Sequence, residues 1–176
     1  MESKLFSHLS TSQLFNPFQS AYRPGHSTET ALLKVMNDLL YSLDHENVSV
    51  LTLLDLSAAF DTIAHTILLQ HLEHGFGIHD TALHWLSSYS TNRIQTVTVN
   101  KGSSSLVTIS CRVPQGSVLG PVLFILYTAS LFDVIDSHSV LFHSFTNDTQ
   151  LQKSASPQQV DELLQFMQEC IHDVES

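Results

Sequence analysis

Val48-Ser49-Val50-Leu51-Thr52-Leu53-Leu54-Asp55-Leu56 (VSVLTLLDL) is the stretch on which the fold turns. It is rich in β-branched residues and leucine, too short for an independent helix, and apolar on both faces, as expected of a central strand. It ends in an aspartate. Upstream, Ser27-Thr28-Glu29 supplies a cap and a negative first turn. Ala31, Leu32, Val35, Met36, Leu39, Leu40 and Leu43 then recur at helical spacing and predict an amphipathic helix of about four turns.

Downstream, Ile63 to His74 and Thr81 to Tyr89 pattern as helices, with Gly75 and Gly77 breaking between them. Gln95 to Asn100 alternates, and Ser105 to Val113 follows a turn at Lys101-Gly102-Ser103, so a hairpin is expected. Pro114 to Gly120 is a glycine-bearing loop. Val122 to Phe132 reads as a buried helix, although its composition also allows a strand. Ser139 to Phe145 and Thr149 to Gln152 flank Thr146-Asn147-Asp148, a tight turn between strands. Ser156-Pro157 opens a last helix with Val160, Leu163, Leu164, Met167 and Ile171 on one face. The order helix, strand, helices, hairpin, helix, hairpin, helix implies an α+β domain with helices packed on a largely antiparallel sheet.

At 176 residues, 43% hydrophobic and 14% charged, the chain is one domain long and too apolar for intrinsic disorder. Seventeen Asp plus Glu against seven Lys plus Arg give a net charge of −10. Taken alone, that balance opposes free-standing nucleic-acid binding, which draws its affinity from basic residues. Cys111 and Cys170 are too few and too distant for a disulfide framework or zinc site. The sequence carries no recognisable targeting segment, and no apolar run approaches the roughly 18 residues of a membrane span. An intracellular chain, nuclear or cytoplasmic and without a membrane partner, is expected.

Asp55 and Asp148 stand out because each sits where a strand ends or turns, a position suited to holding Mg2+. From spacing alone the commoner reading is that Asp55 caps the residues after it and that Asp148 is a turn residue. His71 and His74 share a helical face but lack a third ligand at a recognisable spacing, and read as a solvated face. Trp85 and Tyr89, four apart, read as core packing with base stacking as the alternative. Cys111 reads as a packed thiol.

Four strings then add information. Tyr22-Arg23-Pro24-Gly25-His26-Ser27-Thr28-Glu29-Thr30-Ala31-Leu32, Leu54-Asp55-Leu56-Ser57-Ala58-Ala59-Phe60-Asp61 and Val113-Pro114-Gln115-Gly116-Ser117-Val118-Leu119-Gly120-Pro121 closely resemble three successive blocks of the reverse transcriptases of LINE-type (non-LTR) retrotransposons. Phe145-Thr146-Asn147-Asp148 aligns with the fourth block, Phe-Ala-Asp-Asp. Four ordered blocks are far more specific than any one.

The resemblance implies a polymerase-type palm plus part of the fingers: a single partial domain with 1–46 as the fingers remnant and 47–176 as the palm. It implies RNA-directed DNA polymerase chemistry by nucleotidyl transfer on two Mg2+ ions (or Mn2+), with an RNA template, a DNA primer and a deoxynucleotide as partners. By the same resemblance Asp55 and Asp148 are metal ligands. Phe60 is a gate against the ribose 2′-hydroxyl, Gln115 and Gly116 pack on the nucleotide and template, and Arg23 meets the triphosphate or template.

The pattern is also broken. Asn147 stands at the first metal-binding Asp of the fourth block, and an amide brings no charge to offset paired cations. Arg112 replaces a Gly and Ala64 an Asp. By the resemblance the chain is expected to begin inside the fingers region and to stop before the family's thumb, without an endonuclease region. A truncated, mutated copy with weak template binding and impaired activity, or a non-catalytic folded remnant, is therefore expected. Only Lys4, Arg23, Lys34, Arg93, Lys101, Arg112 and Lys153 remain to meet phosphates.

Overall fold

The computed structural model describes residues 2–56, 60–100, 102–114 and 116–175. Its contacts separate the chain into two compact units, Phe15–Ser57 with Thr128–Ser176 and Met1–Leu14 with Ala58–Tyr127. Each is built from both helices and antiparallel strands, the expected α+β class.

The first of these units holds the strand β1, Val48–Asp55. Its partners are β6, Leu141–Phe145, and β7, Asp148–Ala155, in the antiparallel order β1-β7-β6. The central strand is thus β7 rather than β1, which lies at an edge. The face of β1 bearing Val50 and Leu54 packs on the core, while Leu51 and Leu53 on the other face are exposed. VSVLTLLDL reads as doubly buried because composition reports apolarity and not neighbours.

Helices α6, Ala129–Ser137, and α7, Val160–Glu175, cover the core face. Phe132, Ile135, Phe142, Leu151, Leu163, Met167 and Cys170 interlock there, and the Phe132 and Phe142 rings stack at 4.9 Å. The last helix therefore buries Leu163, Met167 and Cys170, and Leu164 is exposed. A 3-10 turn at Pro157–Gln159 leads into it.

On the opposite face lies α2, Thr28–Asp44, capped as expected: Ser27 Oγ accepts from the Thr30 N–H and Thr30 Oγ1 from the Ser27 N–H. Ser42 of α2 meets Ser154 of β7, which in turn meets Ser49 of β1, each pair 2.8 Å apart. The helix buries a narrower stripe than its periodicity predicts, Ala31, Val35 and Ser42, and leaves Leu32, Met36, Leu40 and Leu43 exposed.

The other unit contains α1, Glu2–Thr11, which the sequence pattern did not reveal. It also contains α3, His65–Gln70, with a π-helical turn His71–Gly75, α4, Asp80–Ser90, and α5, Gly120–Tyr127. The expected helix from Ile63 thus starts two residues late and widens at His71. Val122 to Leu126 are all buried, which explains a helix apolar on every side. Against the expectation that no apolar run is long enough, Gly120–Ser137 is by length and composition apolar enough to cross a membrane; Val122 to Leu126 within it are buried, and Thr128 separates α5 from α6.

The expected hairpin is two short ladders, β2 (Arg93–Gln95) with β5 (Val107–Ile109) and β3 (Thr98–Val99) with β4 (Gly102–Ser103). Their registers differ by one residue, so a bulge separates them. Cys111 is exposed, contrary to its reading as a packed thiol.

Candidate active site

The β6–β7 hairpin turns over Thr146 and Asn147. Thr146 takes the positive φ of 57° at the first turn position, as in type II′ turns. Sequence reasoning would have given the left-handed backbone to Asn147, and a β-branched threonine occupies it instead.

The register sets Asp55, the last residue of β1, directly opposite Asp148, the first of β7. Both carboxylates are exposed. Like charges at facing positions repel. Asn147 engages one of the two: its Nδ2 donates to Asp55 Oδ1 at 2.6 Å, and the Leu56 N–H donates to its main-chain carbonyl at 3.0 Å. The Thr146 hydroxyl lies 3.1 Å from Asn147 Oδ1 and 2.6 Å from the Phe145 carbonyl. Asp55 thus forms one cluster at the end of the sheet with Asn147, 92 positions away in sequence, and its neighbour Asp148.

The donor set bears on a metal directly. Two exposed carboxylates suit one Mg2+, which keeps its remaining positions for water and phosphate oxygens. Among the described residues no group of three or more His, Cys, Asp and Glu gathers to hold a metal. The amide turns an N–H toward Asp55, so at this position the chain offers a hydrogen where a second cation needs negative charge. The residues fit one divalent cation and not two.

The remaining sequence candidates are placed as follows. Arg23 Nη1 donates to the Asn16 and Gln19 carbonyls, both at 2.8 Å, and its guanidinium lies over the Phe15 ring. That nitrogen clamps its own loop. Phe60 packs on Phe124 at 4.9 Å, and its carbonyl accepts from the Val113 N–H at 3.0 Å. Gly116 has a φ of 74°, a backbone that costs glycine nothing. Gln115 lies outside the described residues.

Two departures from the family pattern acquire local explanations. Arg112 sits at a φ of 82°, where a glycine would be unstrained. Its Nε donates to Asp61 Oδ1 at 3.0 Å, its Nη1 reaches Gln95, and its N–H donates to the Ile63 carbonyl. Ala64 is the N-cap of α3 and makes no side-chain cap bond, where an Asp would accept one.

The family model described as reverse transcriptase (RNA-dependent DNA polymerase) matches residues 1–175. This chain belongs to the reverse transcriptase family. Among its relatives, the RNA-directed DNA polymerase from mobile element jockey of Drosophila melanogaster is 30% identical over 137 residues, 75% of this chain and 15% of the relative. The probable RNA-directed DNA polymerase from transposon BS of the same species is 28% identical over 143 residues, 78% of this chain and 16% of the relative. The non-LTR assignment drawn from the four blocks therefore stands, and the chain spans about 15% of the length of these curated relatives.

Among solved structures, telomerase from Candida albicans, in complex with a TWJ fragment of telomeric RNA, aligns with a TM-score of 0.63 at 17% identity. The match covers 93% of this chain and 31% of the telomerase chain. The fold is thus of the palm-like polymerase type.

Proposed function

We propose that this chain is a reverse-transcriptase palm with a fingers segment at 1–46, whose nucleotidyl-transfer site is impaired at Asn147. The observation that carries the reading is the Asn147–Asp55 hydrogen bond of 2.6 Å, in which an amide satisfies a carboxylate that the family gives to a metal. Asp55 and Asp148 would hold Mg2+ or Mn2+. When bound there, the cation supplies Lewis-acid activation of a primer 3′-hydroxyl. Phe60 would exclude the 2′-hydroxyl, and Gln115, Gly116 and Arg23 would contact nucleotide or template. An RNA template, a DNA primer and a deoxynucleotide are the partners that family membership supports.

The same hydrogen bond favours a second reading, a folded module without catalysis, because it gives the Asp55 carboxylate a partner without a metal. Primer extension on an RNA template with Mg2+ and Mn2+ separates the two. Impaired catalysis predicts trace extension that Asp55→Asn abolishes and Asn147→Asp raises at least about tenfold. Equal background in all three proteins would leave the non-catalytic module. Strong extension by the unaltered chain would overturn the impairment.

A further inference from the structure

Helix α4 carries an aromatic row that the nucleotidyl-transfer cluster does not use. The Trp85 and Tyr89 rings stack 5.7 Å apart at an interplanar angle of 10°. The Arg93 guanidinium lies over the Tyr89 ring, 5.7 Å from its centre, and its Nη1 donates to the Tyr89 carbonyl at 3.1 Å. Trp85 is 38% exposed and Tyr89 half-buried, so the indole keeps a solvent-facing surface. Arginine over an aromatic face and a flat, solvent-facing indole are the elements with which proteins hold unpaired bases.

Trp85 also lines a cleft of about 620 Å³, within the range of small-molecule sites. Leu5, Ile78 and Leu86 give it an apolar floor. Lys4 is its one ammonium and Asp80 its one carboxylate. His8, also in the lining, has its Nε2 at 2.9 Å from the Phe76 carbonyl, and donating there leaves Nδ1 as an acceptor on the neutral ring. The compact unit that contains the cleft has four Lys or Arg against four Asp or Glu, whereas the other has three against thirteen. A polyanion at the cleft thus meets a unit that carries no net charge of its own.

We propose that this cleft is a single-stranded nucleic-acid site, in which one base lies against Trp85 while Lys4 and Arg93 meet the flanking phosphates. An apolar side chain of a protein partner would fill the same volume but has no use for the two cations, and a duplex presents no free base face. The inference rests on the reading that the chain meets nucleic acid, but not on the metal cluster.

Trp85 is the only tryptophan in the chain, so its emission reports on the cleft alone. The test titrates the full chain, in EDTA, with a single-stranded RNA 12-mer and with a duplex of the same length. The expected result is quenching of Trp85 by the single strand and little by the duplex, unchanged when Mg2+ replaces EDTA. Anisotropy of a labelled strand should show Kd rising at least about fivefold in Trp85→Leu. It should rise less in Lys4→Gln and Arg93→Gln, with a shallower salt dependence. Circular dichroism checks that these variants fold.

Binding of the strand without any change in Trp85 emission, or with the same Kd in Trp85→Leu, would overturn the site. An apolar dye held in the cleft and not displaced by the strand would give the cleft to a protein partner. Loss of primer extension with quenching intact would sink only the polymerase reading, so the two failures are distinguishable.

Discussion

The two compact units divide the chemistry of the chain unequally. The unit containing Phe15–Ser57 and Thr128–Ser176 carries thirteen of the seventeen acidic residues and so the entire net charge of −10, and it holds Asp55, Asn147 and Asp148. The unit containing Met1–Leu14 and Ala58–Tyr127 is charge-balanced and holds the Trp85–Tyr89–Arg93 row. Acidity that argues against nucleic-acid binding for the whole chain therefore argues so for only part of it. A net charge averages over regions with different tasks.

The largest expected effect tests the acidic unit's core. Leu151 is fully buried at the centre of its sheet, so Leu151→Ala should cost about 2–5 kcal/mol by chemical denaturation. A loss below about 1 kcal/mol would contradict the central place of β7. Next comes Asn147→Asp, which replaces a donated hydrogen bond by a third carboxylate. In EDTA it should lose about 1–2 kcal/mol, and millimolar Mn2+ should restore the thermal midpoint more than in the unaltered chain. A metal-independent midpoint would mean that the cluster cannot bind a cation even when its charge is restored.

Helix capping sharpens the comparison at smaller magnitude. In the acidic unit α2 has a capping box, and in the balanced one α3 has an uncapped Ala64. Ser27→Ala should therefore cost about 1 kcal/mol and Ala64→Asp should add about as much, read from denaturation midpoints. Equal and negligible shifts would erase the contrast.

The smallest effect is a pH dependence specific to the acidic unit. His143 is buried and shares a 2.9 Å hydrogen bond with Ser20. Burial above all, with repulsion from Lys34 and His26 and against the attraction of Asp38, pushes its pKa below the usual histidine value. The unfolded chain thus binds the proton more readily, and stability is present above about pH 6.5 and falls as acid protonates the unfolded imidazole. His143→Gln should flatten the midpoint between pH 7 and 5. An unchanged slope would place the titration elsewhere.

The fold was legible where local chemistry decides it. Ser27 and the periodic Leu, Val and Ala positions marked α2, and the tight turn at Thr146–Asn147 marked the hairpin. It was illegible where partners decide it. β7 reads as polar, DTQLQKSA, yet takes the centre of the sheet because both its edges find a strand. Glu2–Thr11 shows only Leu5 and Leu9 as an apolar stripe, too little to announce a helix that packing stabilises. In the site, the convergence of Asp55, Asn147 and Asp148 followed from the ordered blocks, whereas Arg23's engagement with its own loop and the Arg93–Tyr89 contact depend on side-chain geometry that spacing does not encode.

The position of β1 at the sheet edge governs how this molecule behaves in concentrated solution. Among the described residues β1 pairs on one side only, and its outward face exposes Leu53 at 71% and Leu51 at 40%. A row of open backbone donors and acceptors beside bare leucines is a template for another strand. Neither Lys nor Pro interrupts Val48–Asp55, and its one charge, Asp55, stands at the very end, so Val48 to Leu54 carry no guard against self-association. The net charge of −10 keeps copies apart by repulsion, and salt or acid that removes this repulsion should turn a dispersed protein into a precipitating one.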